Sequence, residues 1–196
     1  MAVLELAVAP APRRKLWTRA EYESLASSGL LNDQRLELIE GELIDKMGKK
    51  PPHVNSVTLL FAWLTGVFGL RRVYQEAPID VAPEDNPTNE PEPDLVVLSS
   101  DISAFSHKRP GPGDLLLLIE VAESTLGFDL KTKAGLYARA GIVEYWVLDL
   151  TGRQMIVHRD PRDGHYASLT AFRTEERVAP LAAADSFLQV RDAFLD

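Results

Sequence analysis

Residues 115–150, LLLLIEVAESTLGFDLKTKAGLYARAGIVEYWVLDL, decide the fold. The opening run, 115–119, is apolar without a break, as expected of a strand covered on both faces. It meets a carboxylate, Glu120, and continues as Val121 and Ala122. A polar bend follows, then a helix-like segment carrying Asp129 and Lys133, then Gly141 and a second strand over 144–150. About twenty residues of crossover are enough to join parallel neighbours in one sheet. A carboxylate at the C-terminal end of a buried strand is costly unless it is paired, hydrogen-bonded or bound to a metal. Glu120 is therefore either a solvated strand end or part of a site.

The chain has 196 residues, the size of one domain with a substantial core. The expected division is a loose N-terminal arm over 1–17 and a single domain over 18–196. There is no cysteine, which excludes structural disulfides and thiolate metal sites and suits a cytoplasmic protein. The first residues lack the basic start and unbroken apolar run of a secretory signal, and no stretch reaches the length of a spanning helix. With 21 basic and 29 acidic residues the formal charge is −8. That argues against a tight non-specific nucleic-acid binder, whose affinity comes largely from neutralising phosphates. An enzyme that meets phosphate through a metal ion and a few local bases remains compatible with it.

Along the chain, Thr18 and Glu21 have capping-box spacing and predict a short helix to about Ala26. Residues 35–46, RLELIEGELIDK, read as two antiparallel strands turning at or beside Gly41, which puts Glu40 at the turn. Past Pro52 a long helix is expected from His53 to about Phe68, with Val54, Val57, Phe61, Leu64 and Phe68 as its apolar stripe. A strand over 73–81 follows, with Pro78 marking an edge or bulge. An acidic, proline-rich loop over 82–93 leads to a short buried strand that begins at Asp94. The loop 99–114 carries the basic cluster His107, Lys108 and Arg109, a phosphate contact or an ordinary solvated loop. After the central unit, two strands flank a turn at 160–164. A short helix from Asp185, packing Phe187, Val190 and Phe194, ends the chain.

Four groups stand out: Glu40 by a turn, Asp94 at a strand start, Glu120 at a strand end and Lys133 in a helix. If the strands of Asp94 and Glu120 are neighbours, the two carboxylates meet. With the carbonyl of Val121 they would suit a hard divalent cation such as magnesium, which polarises phosphoryl oxygens and activates water. Lys133 lies four residues after Asp129, so it either forms a helix surface pair with it or turns toward Glu120. Tyr137, one turn on, hydrogen-bonds into the site or merely packs. His53 is a helix cap, a surface group or an accessory to the site.

These pieces together resemble the Uma2 family of bacterial proteins, within the PD-(D/E)XK restriction-endonuclease-like superfamily. The resemblance is carried by 38–43 (LIEGEL), His53, 93–97 (PDLVV), 119–125 (IEVAEST), Asp129 with Lys133, 137–146 (YARAGIVEYW) and Asp149, and it spans nearly the whole chain. It implies an α/β fold, a mixed β-sheet flanked by helices with small peripheral strands. It also implies a homodimer, and a magnesium- or manganese-dependent endonuclease acting on DNA with no membrane association. By the same resemblance Asp94 and Glu120 are the metal-binding acids and Glu40 the additional upstream acid. The position two after Glu120 is Ala122 rather than lysine, so Lys133 is the relocated motif lysine. The alternatives are a non-catalytic dimeric scaffold and a nucleic-acid-binding protein without chemistry. The latter needs Lys49–Lys50, Arg71–Arg72 and Lys108–Arg109 folded into one basic surface.

Overall fold

The computed structural model of the protein describes residues 13–46 and 50–195. Most of the proposed arm, together with Lys49, therefore lies outside the described residues. The architecture is mixed α/β, a central mixed sheet flanked by helices and by two small two-stranded sheets.

The capping box at Thr18 and Glu21 starts α1 (Arg19–Ser27), with both reciprocal bonds made. Strands β1 (Leu36–Ile39) and β2 (Glu42–Asp45) pair antiparallel around Glu40 and Gly41. Both turn residues have positive φ, 50° and 77°, the requirement of a tight type I′ hairpin. A side chain at Gly41 would also run into Leu16, 2.8 Å from the Cβ position. Helix α2 (Pro51–Phe68) begins on two prolines, which fit the first turn because its N–H groups have no intrahelical partner. Its buried face is centred on Val57, Leu60 and Leu64, whereas Val54 is exposed. The expected stripe was therefore rotated slightly from the real one, and it omitted Leu60.

The six-stranded sheet has the order β3 (Val73–Gln75), β4 (Leu95–Leu98), β5 (Leu115–Ala122), β6 (Glu144–Asp149), β7 (Gln154–Arg162) and β8 (His165–Arg173). All neighbours are antiparallel except β5 and β6, the pair foreseen from the crossover. Between them the chain forms α3 (Leu126–Phe128), a π-helical turn (Asp129–Lys133) and α4 (Ala134–Arg139). Strand β3 stops at Gln75, short of the expected 81, because Glu76 takes a positive φ of 50°. The chain ends without the expected helix from Asp185. Instead β10 (Leu188–Gln189) pairs with β9 (Arg177–Val178) and a 3-10 turn follows; Val190 is buried and Phe187 exposed.

Because side chains alternate across a sheet, the two faces can be read residue by residue. One face carries Leu95, Val97, Leu117, Ile119, Trp146 and Leu148, covered by α2 and the C-terminal segment. Trp63 of α2 stacks on Trp146 with ring centroids 6.2 Å apart. The other face carries Val96, Leu118, Ala122, Tyr145 and Val147, covered by α4, the π turn and Ile39 of the hairpin. Asp94 and Glu120 fall in the even-numbered register of this second face. No helix among the described residues is long and apolar enough to cross a membrane.

Candidate active site

Register brings the two acids together. Leu95 lies opposite Ile119, so the preceding Asp94 lies beside Glu120, and the Asp94 amide reaches Glu120 Oε2 at 3.4 Å. The Asp94 carboxylate accepts from the Val121 N–H at 2.9 Å, a main-chain bond that fixes its orientation. His53, at the third position of α2, places Nε2 3.1 Å from Asp94 Oδ2, while its buried Nδ1 has no hydrogen-bond partner among the described residues. His53 thus lines the recess beside Asp94 rather than standing on the surface as a cap.

Lys133 comes from the opposite side. The π turn, in which the Ala134 amide bonds back to Asp129 O, widens the helix at this point. Its ammonium lies 2.8 Å from Glu120 Oε1 and 2.8 Å from Glu37 Oε1. Asp129, the alternative partner weighed from i,i+4 spacing, takes the Thr125 hydroxyl at 2.6 Å. Tyr137 donates to Glu120 Oε1 at 3.3 Å. Asp94, Glu120, Lys133, Asp129 and Glu37 are each 5% exposed or less, so these charges meet away from bulk water. With His53 and Val121 they line a cavity of about 420 Å³.

Glu40, expected as the upstream acid, is not there. It sits in the exposed turn with its carboxylate 3.1 Å from the Arg139 guanidinium. The acid that enters the site from this hairpin is Glu37. The signal was present: Glu37 is two residues from Ile39, so both point to the sheet face that Ile39 helps cover. A turn residue has no such obligation. Glu37 also accepts the Glu92 amide at 3.2 Å, which ties the hairpin to the chain entering β4.

The electrostatics follow from four acids around one ammonium. Burial raises the pKa of Glu120; Lys133 opposes the rise, while Asp94, Asp129 and Glu37 add to it. Asp129 is raised by burial in the same way. Burial alone would lower Lys133, but Glu120, Glu37 and Asp129 outweigh it and carry the pKa well above the usual lysine range. The surrounding carboxylates thus favour the charged form of Lys133. Tyr137 is raised by burial and by Glu120, so it serves as a neutral donor.

This donor chemistry fits a hard divalent cation: the recess holds several carboxyl oxygens against one ammonium, and a bound cation would favour their ionised forms. Among the described residues no three histidine, aspartate or glutamate side chains stand arranged as a ready cage. Magnesium does not require one, since it keeps several waters and binds through one or two carboxylates.

A mixed sheet with recessed acids at the ends of buried strands, met by a lysine from the π turn, is the arrangement of a nuclease-like α/β protein. The chain belongs to the Uma2 family, whose sequence model is described as "Putative restriction endonuclease" and matches residues 19–191. Its fold is similar to the crystal structure of a "putative nuclease belonging to DUF820" from Anabaena variabilis ATCC 29413. The TM-score is 0.62 at 17% identity over 83% of this chain and 90% of that one. No match to a curated protein was found.

Proposed function

We propose that the protein is a divalent-metal-dependent endonuclease that hydrolyses phosphodiester bonds in DNA. The observation that supports this most is the meeting of Asp94 and Glu120, at the ends of neighbouring strands, with Lys133 from the π turn in one recess. Asp94, Glu120 and the Val121 carbonyl would hold Mg²⁺, or Mn²⁺ in its place. When bound, the ion supplies Lewis-acid polarisation of the phosphoryl oxygen and activation of water.

The chain's own groups do the rest. Lys133 presents a fixed positive charge to the negative charge that develops on the phosphoryl oxygens. Glu37 is its positioning partner, a second carboxylate 2.8 Å from the ammonium. His53 and the Val121 amide orient Asp94, and Tyr137 orients Glu120. Burial of all of these groups means that little dipole rearrangement is needed as charge moves.

The test is calorimetric titration with Mg²⁺ and Mn²⁺ beside an Asp94→Ala control, followed by cleavage assays on oligonucleotides. Binding and cleavage that both vanish in the variant are expected. Metal-dependent cleavage undiminished by Asp94→Ala would overturn the proposal.

A further inference from the structure

We infer that the strand entering the site is unpaired. The recess takes a nucleotide of single-stranded DNA, with its base against Phe128 and its phosphate toward Asp94 and Glu120. This rests on the hydrolytic reading above and names its substrate class.

The first observation is depth. Asp94, Glu120 and Lys133 are 5%, 4% and 3% exposed, at the floor of a cavity in the size range that encloses a small molecule. A duplex is a stiff rod, with a persistence length of ~150 bp, and presents its phosphates on a convex surface. It cannot lower one phosphate into such a recess without unpairing or sharp bending, whereas a single strand can turn a nucleotide inward.

The second is charge. Duplex binding draws on phosphate neutralisation along both strands, yet several of the described basic residues that could supply it already face acidic or carbonyl partners. At the rim Lys50 lies 3.0 Å from Glu123, and Lys46 donates to Glu92 O at 2.7 Å. Arg71 forms a bidentate pair with Asp101. Arg72 caps the carbonyls of Leu98 and Ser99. Arg109 lies between Glu23 and Glu90. Of the expected basic surface, Lys50, Arg71, Arg72 and Arg109 are each engaged with a partner of the chain itself.

The third is the wall. Phe128 and Ile44 are only partly buried and line the same cavity as the acids. Proteins that hold single strands use aromatic faces, on which any base stacks, together with local positive charge. Phe128 precedes Asp129 directly and so lies within one turn of the lysine-bearing π segment.

The test uses the full chain with Ca²⁺ in place of Mg²⁺ and an oligonucleotide carrying 2-aminopurine, alone or annealed to its complement. Strand integrity is checked on a gel. Single-strand affinity at least tenfold above duplex affinity is expected. Phe128→Ala should weaken single-strand binding about tenfold, the scale of one lost base–aromatic stack, and Phe128→Trp should retain it. Equal or tighter duplex binding, no binding of either form, or indifference to Phe128→Ala in a folded variant overturns the inference. Tight single-strand binding without cleavage in Mg²⁺ supports it and overturns the hydrolytic proposal. Duplex cleaved as fast as single strand does the reverse.

Discussion

Glu120 on β5 and Glu144 on β6 are buried carboxylates on neighbouring parallel strands, and the protein treats them in opposite ways. Glu144 has a cation of its own: Arg159 Nε donates at 2.7 Å, the Trp146 indole at 2.9 Å and the Leu181 amide at 2.7 Å. Both carboxylate oxygens are engaged, and the group is held in place. Glu120 shares one ammonium with Glu37 and sits beside Asp94 and Asp129. Its position differs as well, near the C-terminal end of its strand, where open α/β sheets bind ligands. Burial as such does not mark a functional acid; burial with an unbalanced set of neighbours does.

The largest effects should come from swapping the two roles. Glu144→Gln leaves Arg159 facing a neutral amide and is expected to cost about 3 kcal/mol in urea unfolding, as broken buried pairs do. Cleavage per folded molecule should be unchanged. Glu120→Gln should reverse the pattern, with cleavage at background and stability within about 1 kcal/mol, because the substitution also removes a crowded negative charge. Loss of cleavage in folded Glu144→Gln, or unfolding of Glu120→Gln, would erase the contrast.

A smaller difference separates two acids three residues apart. Glu37→Gln loosens Lys133 and should lower kcat by about 10–100-fold, the usual range for a residue that orients a primary group. Glu40→Ala, in its exposed pair with Arg139, should leave kcat unchanged and stability within about 0.5 kcal/mol. Equal effects at the two positions would mean that the hairpin register has been misread.

The smallest effect concerns a buried group outside both acid centres. His158 packs between Tyr145 and Tyr166, and burial lowers its pKa from 6.5 to about 4. The folded state thus resists a proton that the unfolded chain accepts. Stability from this group is intact above pH 6.5 and falls as the pH drops from 6.5 toward 4. His158→Gln should flatten that part of a stability–pH profile, measured by denaturant midpoints, without moving the cleavage profile. An unchanged slope would show that His158 titrates normally.

Much of this arrangement was readable from the chain. The unbroken run before Glu120, the length of the crossover and the capping box at Thr18 are local signals, and each element formed where they placed it. Asp94 and Glu120 met because two short apolar strands had few other places to go. Glu37 carries no local mark in the sequence beyond strand alternation, because its partner Lys133 lies far along the chain. His53 could not be assigned, since its 3.1 Å contact with Asp94 joins residues 41 apart in sequence. The acidic loop 82–93 is pinned from outside itself: Arg19 donates to Asn89 O at 2.7 Å and Arg139 to Asp85 at 3.0 Å. None of these tertiary tethers leaves a periodic trace.

The π turn at Asp129–Lys133 amounts to one residue more than a regular helix would hold. Losing a single codon there would restore an ordinary helical ladder and swing everything on one side of it by about 100° relative to the other. The hydrophobic cover of α4 and the lysine could not then both keep their places. A lineage that shed that codon would retain a nuclease-shaped protein whose cation points elsewhere. The spacing from Glu120 to Lys133 therefore sets whether a chain of this fold can bring the lysine to the recess at all.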